Sequence, residues 1–209
     1  MTDILLIAMA MTLLYLSIAN RLYTYLRILV LQGFIIFGTT YLTLTEVNTL
    51  NLILILIETI GFKAIAVPWF MNYIIKRNKI TREAEPYLPN FISLIIVTLI
   101  IVATIILSVS INDHNLDKTY FVVAVSTLFT GLYLIVSRKK IITHVIGYLV
   151  IENGVFVLSL AVGNEMPMLV NLGIMLDIFA SVLILGVFFN KIGDVIKDPD
   201  VDLLRNLKD

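Results

Sequence analysis

Apolar residues in this chain follow neither the alternation of a strand nor the one-faced stripe of a soluble helix. They come as runs of about twenty, broken by short polar connections. The runs cover residues 4–19, 22–44, 47–75, 89–111, 119–136, 141–163 and 166–189, each close to the length that crosses about 30 Å of hydrocarbon. The connections hold Asn20-Arg21, Glu46 to Asn48, Lys76 to Pro89, Asn112 to Lys118, Arg138 to Lys140, and Asn164-Glu165. Pro89 suits the first turn of a helix. The pattern predicts an all-α, polytopic integral membrane protein of about seven transmembrane helices.

Charge adds an orientation. Arg21 and Arg27 follow the first run; Lys76, Arg77, Lys79 and Arg82 the third; Arg138, Lys139 and Lys140 the fifth; Lys191, Lys197, Arg205 and Lys208 the last. The alternate connections hold Glu46, then Asp113, Asp117 and a single Lys118, then Glu165. Basic residues near helix ends resist translocation, which predicts the N-terminus outside and the C-terminus inside. Tyr23, Tyr25, Trp69 and Tyr73 near inner ends, and Tyr41 and Tyr120 near outer ends, fit interfacial aromatic belts. The first run lacks a basic n-region and a small-residue cleavage pattern, so it reads as a retained helix, although a short one.

Composition removes several chemistries. Hydrophobic residues make up 59% of the chain and charged ones only 14%, more apolar surface than a soluble domain of this size could bury. The absence of cysteine excludes thiol chemistry, disulfides and cysteine-held iron-sulfur clusters, and two histidines are too few for the usual bis-histidine haem site. No Gly-rich phosphate loop, zinc spacing or nucleophile elbow is present. Neither a cofactor nor a catalytic activity is therefore expected of this chain alone. The segment after Asp194 mixes both charge signs around Pro199 and reads as a solvated tail or a docking arm.

Four ionisable residues remain inside apolar runs: Glu58 and Lys63 in the third, Glu152 in the sixth and Asp177 in the seventh. Each costs roughly 2.5–3.5 kcal/mol at a helix centre unless it finds a partner, a proton or water. Groups that desolvation drives toward neutrality can also take up and release protons, as a relay requires. The bland alternative is that Lys63 neutralises a carboxylate and locks helices together. On an α-helix Glu58 and Lys63 lie about 140° apart and do not face one another. Pro68 has no N–H for the carbonyl of Ala64, which predicts a kink beside Lys63 that could hold water. His144, Tyr148 and Glu152 follow at i, i+4 and i+8, a candidate proton entry wire from the inner surface to mid-membrane. Gly147, Gly154 and Ala161 lie roughly opposite Glu152 and would admit a second helix closely.

Gly147-Tyr148 followed by Glu152-Asn153-Gly154, Lys63 spaced five before Pro68, and Leu172-Gly173-Ile174 leading to Asp177 together resemble one family. It is the membrane component E of hydrogenase-4-type, complex-I-like energy-converting complexes, and the resemblance spans essentially the whole chain. From about residue 119 onward the chain is also similar to the small K subunit of respiratory complex I and to its counterpart in Mrp-type cation/proton antiporters. The resemblance divides the chain into a four-helix membrane region (1–115), a three-helix complex I K-subunit-like region (116–193) and a cytoplasmic tail (194–209). It carries a proton-translocating role onto Glu152 and Asp177. Glu152 falls one helical turn after the corresponding glutamate, which aligns nearer Leu149, and Asp177 stands in place of a longer glutamate.

The resemblance implies a non-catalytic membrane subunit that connects proton or sodium pathways through Glu152, Asp177, Lys63 and Glu58, with His144 and Tyr148 at the entry. Implied partners are large antiporter-like membrane subunits, a lateral membrane subunit, and peripheral subunits carrying nickel-iron and iron-sulfur centres. The implied location is the cytoplasmic membrane of a prokaryote. Two other readings stand beside it: an Mrp-like cation/proton antiporter subunit without a redox arm, and a structural adaptor whose buried charges only specify helix assembly.

Overall fold

The computed structural model describes residues 1–43, 53, 55–77, 84, 86–111, 116–162 and 186, and the architecture below is that of these residues. It is all-α. Helix α1 (Thr2–Ile18) is followed by α2 (Leu22–Thr43), then by a π-helical segment (Ile57–Ala66) that runs directly into α3 (Val67–Arg77). After them come α4 (Asn90–Ser110), α5 (Lys118–Ser137) and α6 (Ile141–Ala161). Four of these, α2, α4, α5 and α6, are long and apolar enough to cross a membrane, whereas α1 is apolar but shorter at 17 residues. The predicted run 166–189 with Asp177, and the tail 194–209, lie outside the described residues except for Gly186.

The polar connections fix where the helices stop. Asp117 caps α5, its carboxylate accepting from the backbone N–H groups of Thr119 and Tyr120 at 3.0 and 3.3 Å. Pro89 stands immediately before α4 rather than inside its first turn, in an extended conformation. These boundaries lie within two residues of the runs 22–44, 89–111, 119–136 and 141–163.

The helices alternate in direction. At one end, the Ala84 N–H donates to the Asn20 carbonyl (2.8 Å), the Tyr87 N–H to the Ser137 carbonyl (3.0 Å), and Pro86 pairs with Arg138. The connections after α1, α3 and α5 therefore share that end. At the other, the Asp117 N–H donates to the Ala161 carbonyl (2.9 Å), and the hydroxyls of Thr43 and Tyr120 bond to each other.

Packing is closest between α5 and α6. A Cβ added at Gly147 would stand 2.8 Å from the carbonyl oxygen of Gly131, and one at Gly154 would stand 2.8 Å from the backbone nitrogen of Leu128. The backbones thus touch where the spacing of Gly147 and Gly154 predicts a close neighbour. On the other flank of α5, α4 is joined to it by the Thr104–Ser126 hydroxyl pair (2.7 Å) and by the Tyr133 hydroxyl donating to Ser93 (2.8 Å). Helix α1 packs on α2, α4 and α5, and α2 also packs on the π segment, α3 and α6.

Two of the predicted belt tyrosines are buried instead. Tyr25 is fully buried and donates to the Ala19 carbonyl (2.7 Å), with the Arg138 guanidinium 6.0 Å from its ring centroid. Tyr120 is tied to Thr43. In each case a hydroxyl partner lies within the bundle, so the polar tip needs no interface. Trp69, Tyr73 and Tyr41 stay exposed as predicted. Nor is the basic connection wholly solvated: Arg138 and Lys140 are buried, and Arg138 donates from Nη2 to the carbonyl of Ser17 (2.8 Å), joining the ends of α1 and α5.

Candidate functional site

The buried apolar side chains form two clusters, one toward each end of the molecule. The first gathers residues such as Leu16, Leu29, Val67 and Val150, the second Met9, Ile35, Val123 and Phe156. Between them, in every helix concerned, lie polar residues: Thr12 in α1, Gln32 in α2, Thr127 and Thr130 in α5, and Glu152 and Asn153 in α6, all buried. Lys63 of the π segment joins this layer, its neighbour Phe62 lying against the first cluster while its own ammonium sits over Phe156 of the second. Gln32, Thr127 and Glu152 stand near the middle of their helices. A polar layer thus divides the core at half height.

Part of that layer is a hydrogen-bonded ladder. The Asn153 side-chain amide donates to the Gln32 carbonyl oxygen (3.0 Å), the Gln32 amide to the Thr12 hydroxyl (2.9 Å), and that hydroxyl to the Met9 carbonyl (2.6 Å). It links α6, α2 and α1 through apolar surroundings, where a lost hydrogen bond costs more than in water. The sequence reading did not single out Gln32 or Thr12. The only signal available was that Gln32 is the one glutamine in its apolar run.

The rest of the layer carries charge. Lys63 and Glu58 are both buried, five residues apart in the same π-helical segment. The expectation that Glu58 and Lys63 point apart assumes α-helical spacing. In the π-helical segment the N–H of Val67 donates to the carbonyl of Phe62, five residues back, so residues five apart stack on one face. Pro68 is the second residue of α3, where the α-helix resumes; it has no N–H to give to Lys63 or to Ala64, and the sequence's simple kink is replaced by this wider turn. Gly33 of α2 completes the placement. A Cβ there would stand 2.9 Å from that of Ala64, so only glycine lets the π segment lie against α2 at this level.

Glu152 reaches the same place from α6. A cavity of about 10 Å³, room for about one water molecule, is lined by Lys63, Glu152 and Asn153 together with Leu29, Val67 and Leu149. The Lys63 ammonium stands 4.6 Å from the centroid of the Phe156 ring, a cation–π contact in a desolvated setting. Neither Lys63 Nζ nor Glu58 Oε1 has a hydrogen-bond partner among the described residues.

His144 and Tyr148 lie on α6 toward the basic end, both half-buried. The Nε2 of His144 is 2.8 Å from the carbonyl oxygen of Arg138. A carbonyl only accepts, so Nε2 is the donor in this contact. From His144 to Glu152 the helix rises about 12 Å. The structure therefore brings Lys63 and Glu152 together at one cavity, places Glu58 buried in the same π segment as Lys63, sets His144 and Tyr148 along the approach from one end, and leaves Asp177 outside the described residues.

No family model matches the chain, and no solved structure does. The uncharacterized protein Rv0085 of Mycobacterium tuberculosis is 25% identical to it over 186 residues, 88% of this chain and 84% of that protein. This likeness runs through most of both chains rather than through one segment.

Proposed function

We propose that this chain is a non-catalytic membrane subunit of a complex-I-like, energy-converting assembly in the cytoplasmic membrane of a prokaryote. In this reading it crosses the membrane about seven times, with the N-terminus outside. Lys63, Glu58 and Glu152 pass a proton through the polar layer, Asp177 continues the path, and His144 and Tyr148 feed it from the inner side. The observation that carries the reading is the meeting of Lys63 and Glu152, from two elements, beside a water-sized cavity at half height, with Glu58 buried in the same π segment as Lys63. A cation flanked by two acids can hold one proton in more than one arrangement at similar energy, which a relay needs and a simple ion pair does not.

The motif resemblance supplies the assembly: antiporter-like membrane subunits, a lateral membrane subunit, and peripheral subunits holding nickel-iron and iron-sulfur centres. Redox chemistry belongs to those partners. An Mrp-like antiporter subunit would use the same three side chains without a redox arm. The amide ladder favours a third reading in part, since Asn153 and Gln32 specify helix packing by themselves.

The test is extraction of native membranes in mild detergent, capture through this chain, and mass spectrometry of what accompanies it. Antiporter-like subunits with metal-carrying hydrogenase-type subunits are the expected result. Antiporter-like subunits alone would replace the reading with the Mrp-like one, and capture of this chain without companions would overturn both.

A further inference from the structure

A groove of about 580 Å³ opens between α2 and the third helical stretch, outside the polar layer. Its floor is apolar, made by Val30 of α2 with Ala64, Ile65 and Pro68. Toward the end of the molecule where the basic connections gather, the lining changes to Arg27, Trp69, Asn72 and Lys76, with no carboxylate among its lining residues. Gly33 of α2 lies against Ala64, one of the lining residues. From Ala64 to Lys76 the backbone rises about 18 Å, close to the half-thickness of a bilayer's hydrocarbon.

The groove's open face is exposed: Ile65 and Trp69 are 57% and 68% accessible, and Arg27 and Lys76 are exposed as well. Gly186 packs against Phe70 and Ile74, on the face of α3 turned away from the groove.

We infer that this groove binds an anionic glycerophospholipid, with an acyl chain along Val30, Ala64 and Pro68 and the phosphate between Arg27 and Lys76. Its length matches one leaflet, and its volume falls within the roughly 300–1,000 Å³ of ligand sites. Two exposed cations, Arg27 and Lys76, line the groove toward its basic end, where headgroups would lie. The exposed Trp69 ring marks the same level. Asn72 adds a further polar side chain to the lining at that level. A purely apolar helix from another subunit would leave both cations facing it without a counter-charge, so charge complementarity selects the lipid.

The full chain, purified in mild detergent, is titrated with phosphatidylglycerol or with phosphatidylcholine of the same acyl chains, and bound lipid is read by native mass spectrometry. The wild type is expected to retain phosphatidylglycerol preferentially, and each removed cation to weaken retention roughly fivefold, so that the double variant Arg27→Gln/Lys76→Gln loses about 25-fold. Lys118→Gln, at the opposite end, should change nothing. Ile65→Trp, which fills the groove and keeps both charges, should also lower retention. A photoreactive residue at position 65 in native membranes should capture lipid. Equal retention of the two lipids, undiminished binding by both the double variant and Ile65→Trp, or capture of a protein at position 65 would overturn the inference. The crosslink decides the matter should a variant fail to fold.

Discussion

Lys63 is the residue on which the polar layer turns. It is buried, shares a cavity with Glu152, lies in the π segment that also buries Glu58, and rests on an aromatic ring. Replacing it with methionine leaves two carboxyl groups in an apolar core without a cation, and loss of one partner of a buried charge set costs about 3–5 kcal/mol. Lys63→Met should therefore lower the melting temperature in detergent substantially, and adding Glu58→Gln and Glu152→Gln should recover most of the loss. Indifference of the melt to Lys63→Met would mean that Glu58 and Glu152 are already neutral and do not share the lysine's charge. Sequence reading identified Glu58, Lys63 and Glu152 because ionisable groups are conspicuous in apolar runs. It passed over Gln32 and Thr12, since one neutral polar residue per helix gives no periodic signal, and only the packed bundle shows which of them meet.

At the scale of elements, the boundaries of four helices were legible because a capping aspartate, a proline and basic clusters stand at the ends of apolar runs. The π-helical segment was not. Periodicity arguments presume 3.6 residues per turn, and a wider turn moves Lys63 onto the face of Glu58. The α5–α6 contact was half legible: Gly147 and Gly154 marked one surface, but its partner Gly131 emerged only from the packing. Gly147→Val should bring side-chain carbons against the Gly131 carbonyl and cost about 1–3 kcal/mol or more. Val136→Ala, on the outward face at 72% exposure, should stay within about 0.5 kcal/mol. Thermal melts of the two variants compare them directly, and equal stability would contradict the close α5–α6 approach.

For the whole molecule, the alternation of basic and acidic connections anticipated which helix ends share a side, and the contacts among Asn20, Ala84, Tyr87 and Ser137 gather three of them. Orientation in the bilayer is open to direct measurement because the chain has no cysteine of its own. Cysteine at position 118 in place of lysine should react with an impermeant maleimide on intact cells. Cysteine at position 77 in place of arginine should react only after permeabilisation. The reverse pattern would invert the topology, and with it the direction from which His144 serves Glu152.

The central claim is that charge moves through the polar layer, and proton uptake by inverted membrane vesicles containing the native assembly tests it most directly. Glu152→Gln keeps the size and hydrogen-bonding capacity of the side chain while removing its titratable proton. With the amount of assembled complex matched to wild type, the account predicts that coupled proton uptake falls to background. Undiminished uptake by a fully assembled Glu152→Gln complex would contradict it and leave the buried charges as determinants of helix packing alone.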